Sequence, residues 1–205
     1  MSRNTRALRT SAALATAAVA LAGATVTSLP APAHAAVTLD CTGGPITIDD
    51  STEDYTLTGA CSAVILNGSN LTVSLASATT VMVTGANVDV VATGALGPVV
   101  VTGSNSSVTA TAAPTARVEA SNVDLRIPAL DRAVLIGSNN KLVADQGAKA
   151  KVKGANNRVK YRALGKVVVR GANNTVKVRT GKTKVRVKGA NNVVRVHRRA
   201  DAPRR

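Results

Sequence analysis

Gly171-Ala172-Asn173-Asn174-Thr175-Val176-Lys177-Val178 is the clearest copy of a motif that recurs along the chain. Other copies start at Gly68, Gly85, Gly103, Ala120, Gly137, Gly154 and Gly189, each with Asn in third place, at steps of 17 or 18 residues. One further step of 18 back reaches Asp50-Ser51-Thr52, a degenerate ninth copy. A short fixed period marks a solenoid, whose units bury their apolar faces only against their neighbours.

Four columns of the repeat are apolar in every copy. They lie four and two residues before the turn Gly (Val167 and Val169 in the copy quoted) and five and seven after it (Val176 and Val178). The spacing of two within each pair is the strand period, not the helical one. Each repeat therefore reads as strand, tight turn, strand, looser turn. The expected fold is all-β: a single parallel β-solenoid (β-helix) of about nine two-strand coils, right-handed by the crossover preference. At roughly 4.8 Å per coil the rod is on the order of 40 Å long. A narrow interior accounts for the absence of Phe and Trp. At the turn, Gly is expected for positive φ and Asn for its tolerance of the left-handed region. The third-place asparagines (Asn70, Asn87, Asn105, Asn122, Asn139, Asn156, Asn173, Asn191) fall in one column and invite an amide ladder along the rod.

The rest of the chain frames this domain. Residues 1–35 read as a secretory signal, with Arg3, Arg6 and Arg9, an apolar stretch from Ala12 to Val26, and Ala33-His34-Ala35 as cleavage site. The solenoid domain then covers 36–197, with no transmembrane span expected in the mature chain, and 198–205 form a basic disordered tail. Cys41 and Cys61, the two cysteines, align in adjacent first coils. Export permits a disulfide, and a Cys41–Cys61 bond is expected as a staple on the first coils. With neither a His nor a third Cys nearby, a metal site is not expected.

Charge is segregated along the chain. From Ala36 to Ile136 nine acidic residues face three basic ones, a net of −6; from Gly137 to Arg205 twenty basic residues face two acidic ones, a net of +18. The basic residues obey the repeat. Lys151, Lys153, Arg158, Lys160, Arg170, Lys177, Arg186, Lys188 and Arg195 all occupy columns that point outward. Like charges on successive coils repel by up to about 1 kcal/mol per aligned pair even in water. Either an anionic polymer relieves that repulsion, or the charge keeps the rod soluble and stops end-to-end stacking. In the acidic half Ile65, Met82 and Val100 form an outward apolar stripe, a candidate protein-partner surface.

Catalytic chemistry finds little support. His197 is the only histidine after the leader, and it stands far in sequence from the acidic residues. Asp49, Asp50, Glu53 and Asp54 cluster at the first turn, but later coils offer almost no second carboxylate to flank a sugar, so a solvated turn is the expected role. Phosphate-loop, Walker and dinucleotide motifs are absent. No cofactor and no enzymatic activity are expected.

The recurrent G-[AS]-N-N-x-V pattern, Cys41-x-x-Gly44, Leu57-Thr58-Gly59-Ala60-Cys61 and the secretory start together resemble domain of unknown function 3060, a family of exported bacterial proteins common in actinobacteria. The likeness spans nearly the whole mature chain, although Leu71, Val88, Ser106 and Val123 replace the second Asn in the early copies. It implies the fold and export, and assigns no activity. The expected function is that of an exported, non-catalytic cell-envelope or extracellular protein. Its basic C-terminal coils would bind a polyanion without sequence preference, whether a wall polymer, an anionic membrane surface or nucleic acid. The alternative is a structural or adhesive module that binds a protein partner, its charge serving solubility.

Overall fold

The computed structural model describes residues 36–197; the expected leader and basic tail lie outside the described residues. In chain order the elements are β1 (Val37–Asp40), a 3-10 turn (Cys41–Gly43), β2 (Ile46–Ile48), β3 (Asp54–Leu66), β4 (Leu71–Val83), β5 (Val88–Ala92), β6 (Val99–Val101), β7 (Ser107–Thr109) and β8 (Ala112–Val118). They continue as β9 (Asp124–Arg126), β10 (Ala129–Ile136), β11 (Lys141–Ala155), β12 (Arg158–Ala172), β13 (Thr175–Thr180), β14 (Lys184–Lys188) and β15 (Val193–Val196). The pairings are parallel, and each joins a strand to its equivalent one coil on, as in Val159↔Val176 and Val167↔Val185. The chain is a β-solenoid of about nine coils, as its period predicts.

The four apolar columns build one continuous core. Val73, Val90, Val108, Leu125, Leu142, Val159 and Val176 are shut from solvent one above the other, and the columns before the turn behave alike. The end coils depart from the expectation: Ile46 in the first is half-buried, and Val185 and Val187 in the last are 42% and 41% exposed, because no described strand stacks beyond β14. The looser turn adds an inward column that the period alone does not single out. Cys61, Ala78, Leu96, Ala113, Leu130 and Leu164 fill it, all buried. The strands β3, β4, β11 and β12 continue through this bend, β11 and β12 pairing there at Gln146↔Ala163 and Gly147↔Leu164, while β3 and β4 shift register between Leu57 and Ala60. In the middle coils Pro98 and Pro128, which have no N–H to give the ladder, lie where the strand is interrupted. Cys41 and Cys61 stand at disulfide distance, their Cα atoms 4.7 Å apart, tying the first turn to the second coil's bend.

The tight turn is where the structure corrects the sequence reading. Among the turn glycines only Gly154, Gly171 and Gly189 have positive φ. The stronger demand is space: a Cβ on Gly103 would sit 1.7 Å from the carbonyl oxygen of Gly85 one coil before. Positive φ belongs to the third-place Asn throughout, with φ between 53° and 60° from Asn70 to Asn191. That backbone aims the third-place side chain at solvent, and its amides bond to each other only at Asn87 to Asn70 and Asn122 to Asn105, both 2.9 Å.

The continuous ladder is instead made by the next residue, which turns inward. Asn140, Asn157 and Asn174 are buried, with Asn192 half-buried beyond them. Asn157 Oδ1 accepts the Asn140 N–H at 3.0 Å, while Asn157 Nδ2 donates to the Gly137 carbonyl at 2.9 Å. Asn174 repeats this toward the Asn157 N–H and the Gly154 carbonyl, and Asn192 toward the Asn174 N–H and the Gly171 carbonyl. In the early coils Leu71, Val88 and Val123 fill the same buried column, so the missing second Asn marks an apolar turn interior rather than a broken repeat.

Two tyrosines sit in this core, and they set an alkaline limit on it. Burial pushes the Tyr161 phenol far above its usual range, with the charge of Asp131 adding to the effect. Tyr55 is raised by burial and by Asp50, to which its hydroxyl donates at 3.3 Å. Both titrate later in the fold than in an unfolded chain, whose tyrosines ionise near pH 10. Stability is therefore unaffected by these groups below about pH 10 and falls as pH rises beyond it. In an alkaline titration, tyrosinate absorbance is expected to rise together with loss of the strand circular-dichroism signal. An ordinary tyrosine midpoint in a still-folded protein would contradict the burial of both rings.

Candidate anion-binding face

The nine cations singled out by the repeat do not form one group. Outward residues of the strand before each turn line one face of the rod, and those of the strand after it line the other. Lys151, Lys153, Arg170, Arg186 and Lys188 lie on the first; Arg158, Lys160, Lys177 and Arg195 lie on the second. The disposition follows from the alternation of strand side chains about a shared core.

The face before the turn is the denser. Its column next to the turn holds Lys153, Arg170 and Lys188 in consecutive register. Two residues back, Arg117, Val134, Lys151, Val168 and Arg186 alternate charge and valine. Val168 points outward yet is only 8% exposed. The aliphatic stems of long basic neighbours cover such a residue while their charged heads stay in water.

A third column on this face was not picked out by the sequence reading. Arg132, Lys149, Lys166 and Lys184 stand in unbroken register on β10, β11, β12 and β14. Their spacing of 17, 17 and 18 residues was the available signal. It went unused because the column lies one residue outside the apolar pair that anchors the repeat.

Carboxylates are scarce here. Among the described residues the ion pairs are Arg117–Glu119, Arg132–Asp131 at 3.6 Å, Arg126–Asp124 at 3.4 Å and Lys141–Asp124 at 2.7 Å. Thus none of the cations from Lys149 to Arg195 has an acidic partner within the described residues. The ammonium of Lys153, some loss of water contact, and then Arg170, Lys149 and Arg117 hold the Lys151 ammonium below the usual lysine range. The other face differs in its middle coils. There the column Asp89, Ser107, Asp124, Lys141, Arg158 passes from acid to base, and Ser107 donates to Asp89.

Two further surfaces complete the survey. Ile65, Met82 and Val100 are in register on β3, β4 and β6 as expected, and Arg117 on β8 ends the stripe. Along the looser turn a groove of about 800 Å3 runs past Leu96, Ala113, Pro114 and Leu164, with Asp131, Gln146 and Lys182 at its margins. At the first turn Asp49 accepts from Asn67 Nδ2 at 2.8 Å and Asp50 from Tyr55, so two of the four clustered acids are engaged in turn hydrogen bonds. His197 is exposed at the end of the last described coil, and no group of three metal-ligating side chains converges among the described residues. No described helix is long and apolar enough to cross a membrane. Compared with known proteins, the chain matches no family model, no curated protein and no solved structure.

Proposed function

We propose that this is an exported, non-catalytic β-solenoid protein that binds an anionic polymer along the face before the tight turn. The observation that carries this reading is the unbroken cation column Arg132, Lys149, Lys166 and Lys184 on β10, β11, β12 and β14, flanked on the same face by Lys151 and Arg186 and by Lys153, Arg170 and Lys188, without acidic partners beyond Arg132. A parallel ladder sets successive charges roughly 4.8 Å apart. A polymer lying along the rod axis neutralises several of them at once and releases its own counterions. The leader-like first 35 residues and the disulfide-distance pair Cys41–Cys61 support an extracellular or wall-associated location. Kinship with domain of unknown function 3060 remains a proposal that the repeat motif supports.

Polymers able to lie on the face include a phosphate-bearing wall polymer, an anionic membrane surface and nucleic acid. Sequence selectivity toward nucleic acid is not expected, because Tyr161, the one Phe, Tyr or Trp in the basic half, is buried and cannot stack on bases.

Replacing Lys153, Arg170 and Lys188 together by Gln removes one column without touching the core. The variant is expected to keep or slightly raise its Tm, since repulsion between coils is relieved. Its affinity for heparin or a teichoic-acid-like polymer should fall about ten-fold or more. With duplex DNA as probe, the slope of log K against log salt should flatten by roughly 2–3. Unchanged affinity and slope would instead make the charge a solubility device. The alternative reading, a module binding a protein partner, rests on the registered stripe of Ile65, Met82 and Val100, where Met82 is 43% exposed.

A further inference from the structure

Within the cationic face the surface is not flat. A depression of about 590 Å3 is lined by Arg132, Ala133, Val134, Ala148, Lys149, Lys151 and Lys166. Its cations come from three successive strands. Arg132 on β10, Lys149 on β11 and Lys166 on β12 share one column, and Lys151 lies two residues along from Lys149 on the same side of β11. Its floor is apolar and low: Ala133 is buried, Val134 half-buried, and Ala148 carries only a methyl group. Short side chains between long basic ones leave a hollow with positive charge around its rim.

We infer that this depression is a discrete, saturable site for a compact anion carrying several phosphate or sulfate groups, distinct from the line of charge along Lys153, Arg170 and Lys188. The inference rests on the polyanion reading and deepens it by naming where such a polymer's most highly charged group seats. Four cations converge on the hollow, so a ligand of three or four negative charges neutralises it, whereas a monoanion leaves most of the repulsion in place. Charge-assisted hydrogen bonds from several donors to one compact group are each stronger than neutral ones. The crowding that holds the Lys151 ammonium below its usual range is relieved by the same event. Asp131 is the carboxylate to be displaced, since it lies 3.6 Å from Arg132 Nε. Glu119 is engaged with Arg117, whose strand position is paired with Val134.

The test titrates the full chain, as processed by the cells that make it, with tripolyphosphate, a polysulfated disaccharide and orthophosphate. Calorimetry is expected to give one tripolyphosphate or polysulfated sugar per chain, with orthophosphate far weaker. The ranking of the two multivalent probes tells phosphate from sulfate as the natural group. Methyl resonances of Val134 should shift on binding. Changing Lys149 and Lys166 to Gln should weaken tripolyphosphate about ten-fold or more, the loss of charge-assisted contacts, and Asp131→Asn should strengthen it. The Lys153, Arg170 and Lys188 to Gln variant should bind tripolyphosphate nearly as the parent does while losing long polymers. Several equal weak sites, a Val134 signal that does not move, or equal losses in both sets of variants would overturn the inference while leaving long-polymer binding intact. Failure of both short and long anions to bind would overturn it together with the reading beneath it.

Discussion

Val176→Asp is expected to unfold the last coils. Val176 is fully buried between Val159 and Val194 in the same column, so the carboxylate would have neither water nor a hydrogen-bond donor. Burying an unpaired charge in such a place costs on the order of 4–5 kcal/mol, at the severe end for a single substitution. For a chain of this size that corresponds to a fall in Tm of about 10–15 °C. Because solenoid coils are stabilised by their nearest neighbours, the loss should be local, with β13 to β15 exchanging amide hydrogens faster than β3 and β4. Thr175→Asp, one residue away and outward, places its charge between Arg158 and Val193 on the neighbouring strands. It should change stability by less than about 0.5 kcal/mol, with a small gain from Arg158. Equal melting losses in the two variants would mean that the inward and outward assignments are wrong.

A second large effect is expected at the inner asparagine. Asn157→Asp keeps an acceptor for the Asn140 N–H but loses both Nδ2 donations, to the Gly137 carbonyl and to Asn174 Oδ1. A buried carboxylate then faces two acceptors, and a cost of about 3–5 kcal/mol follows. The penalty is tied to the charge. The folded-state pKa of the new carboxyl is raised, so the charge-dependent part of the destabilisation is full at neutral pH and is lost as pH falls toward about 4, where the unfolded chain is protonated too, leaving only the loss of one donor. Melting curves at neutral and acidic pH check this. Asn156→Ala, on the outer asparagine, should cost only about 1–2 kcal/mol, the strain of a left-handed Ala, and show no such pH dependence. Similar profiles for the two positions would return the ladder to the outer column.

Both predictions mark how far the sequence could be read. Strand period, coil number and core columns were legible because a spacing of two between apolar residues, repeated every 17 or 18 residues, has one packing solution. The role of each turn residue was not. Gly and Asn admit both a conformational and a hydrogen-bonding explanation, and only the stacked backbone shows that Gly103 is needed for close approach and Asn157 for the ladder. The cations were legible as outward residues, but their division between two faces depends on which strand of the coil bears each of them. Arg132, Lys149, Lys166 and Lys184 escaped notice because a charged column beside an apolar one has no signal beyond its period.

The inner amide ladder and the crowded cations occupy the same part of the rod. Asn140, Asn157, Asn174 and Asn192 belong to the four coils in which Lys and Arg stack on like charge, whereas the acidic half closes its turns with Leu71, Val88 and Val123. Coulomb repulsion between coils acts along the rod axis, and so do the amide bonds. In the basic half the inner amides, like the backbone ladder, thus lie along the direction in which like charge pushes the coils apart. Lowering the ionic strength lengthens the screening distance to about 30 Å at 0.01 M and strengthens that repulsion. On the proposed reading a bound polyanion would weaken that repulsion, and slower hydrogen exchange is the expected result at the amides of Val123, Asn140 and Asn157, which the inner asparagines hold.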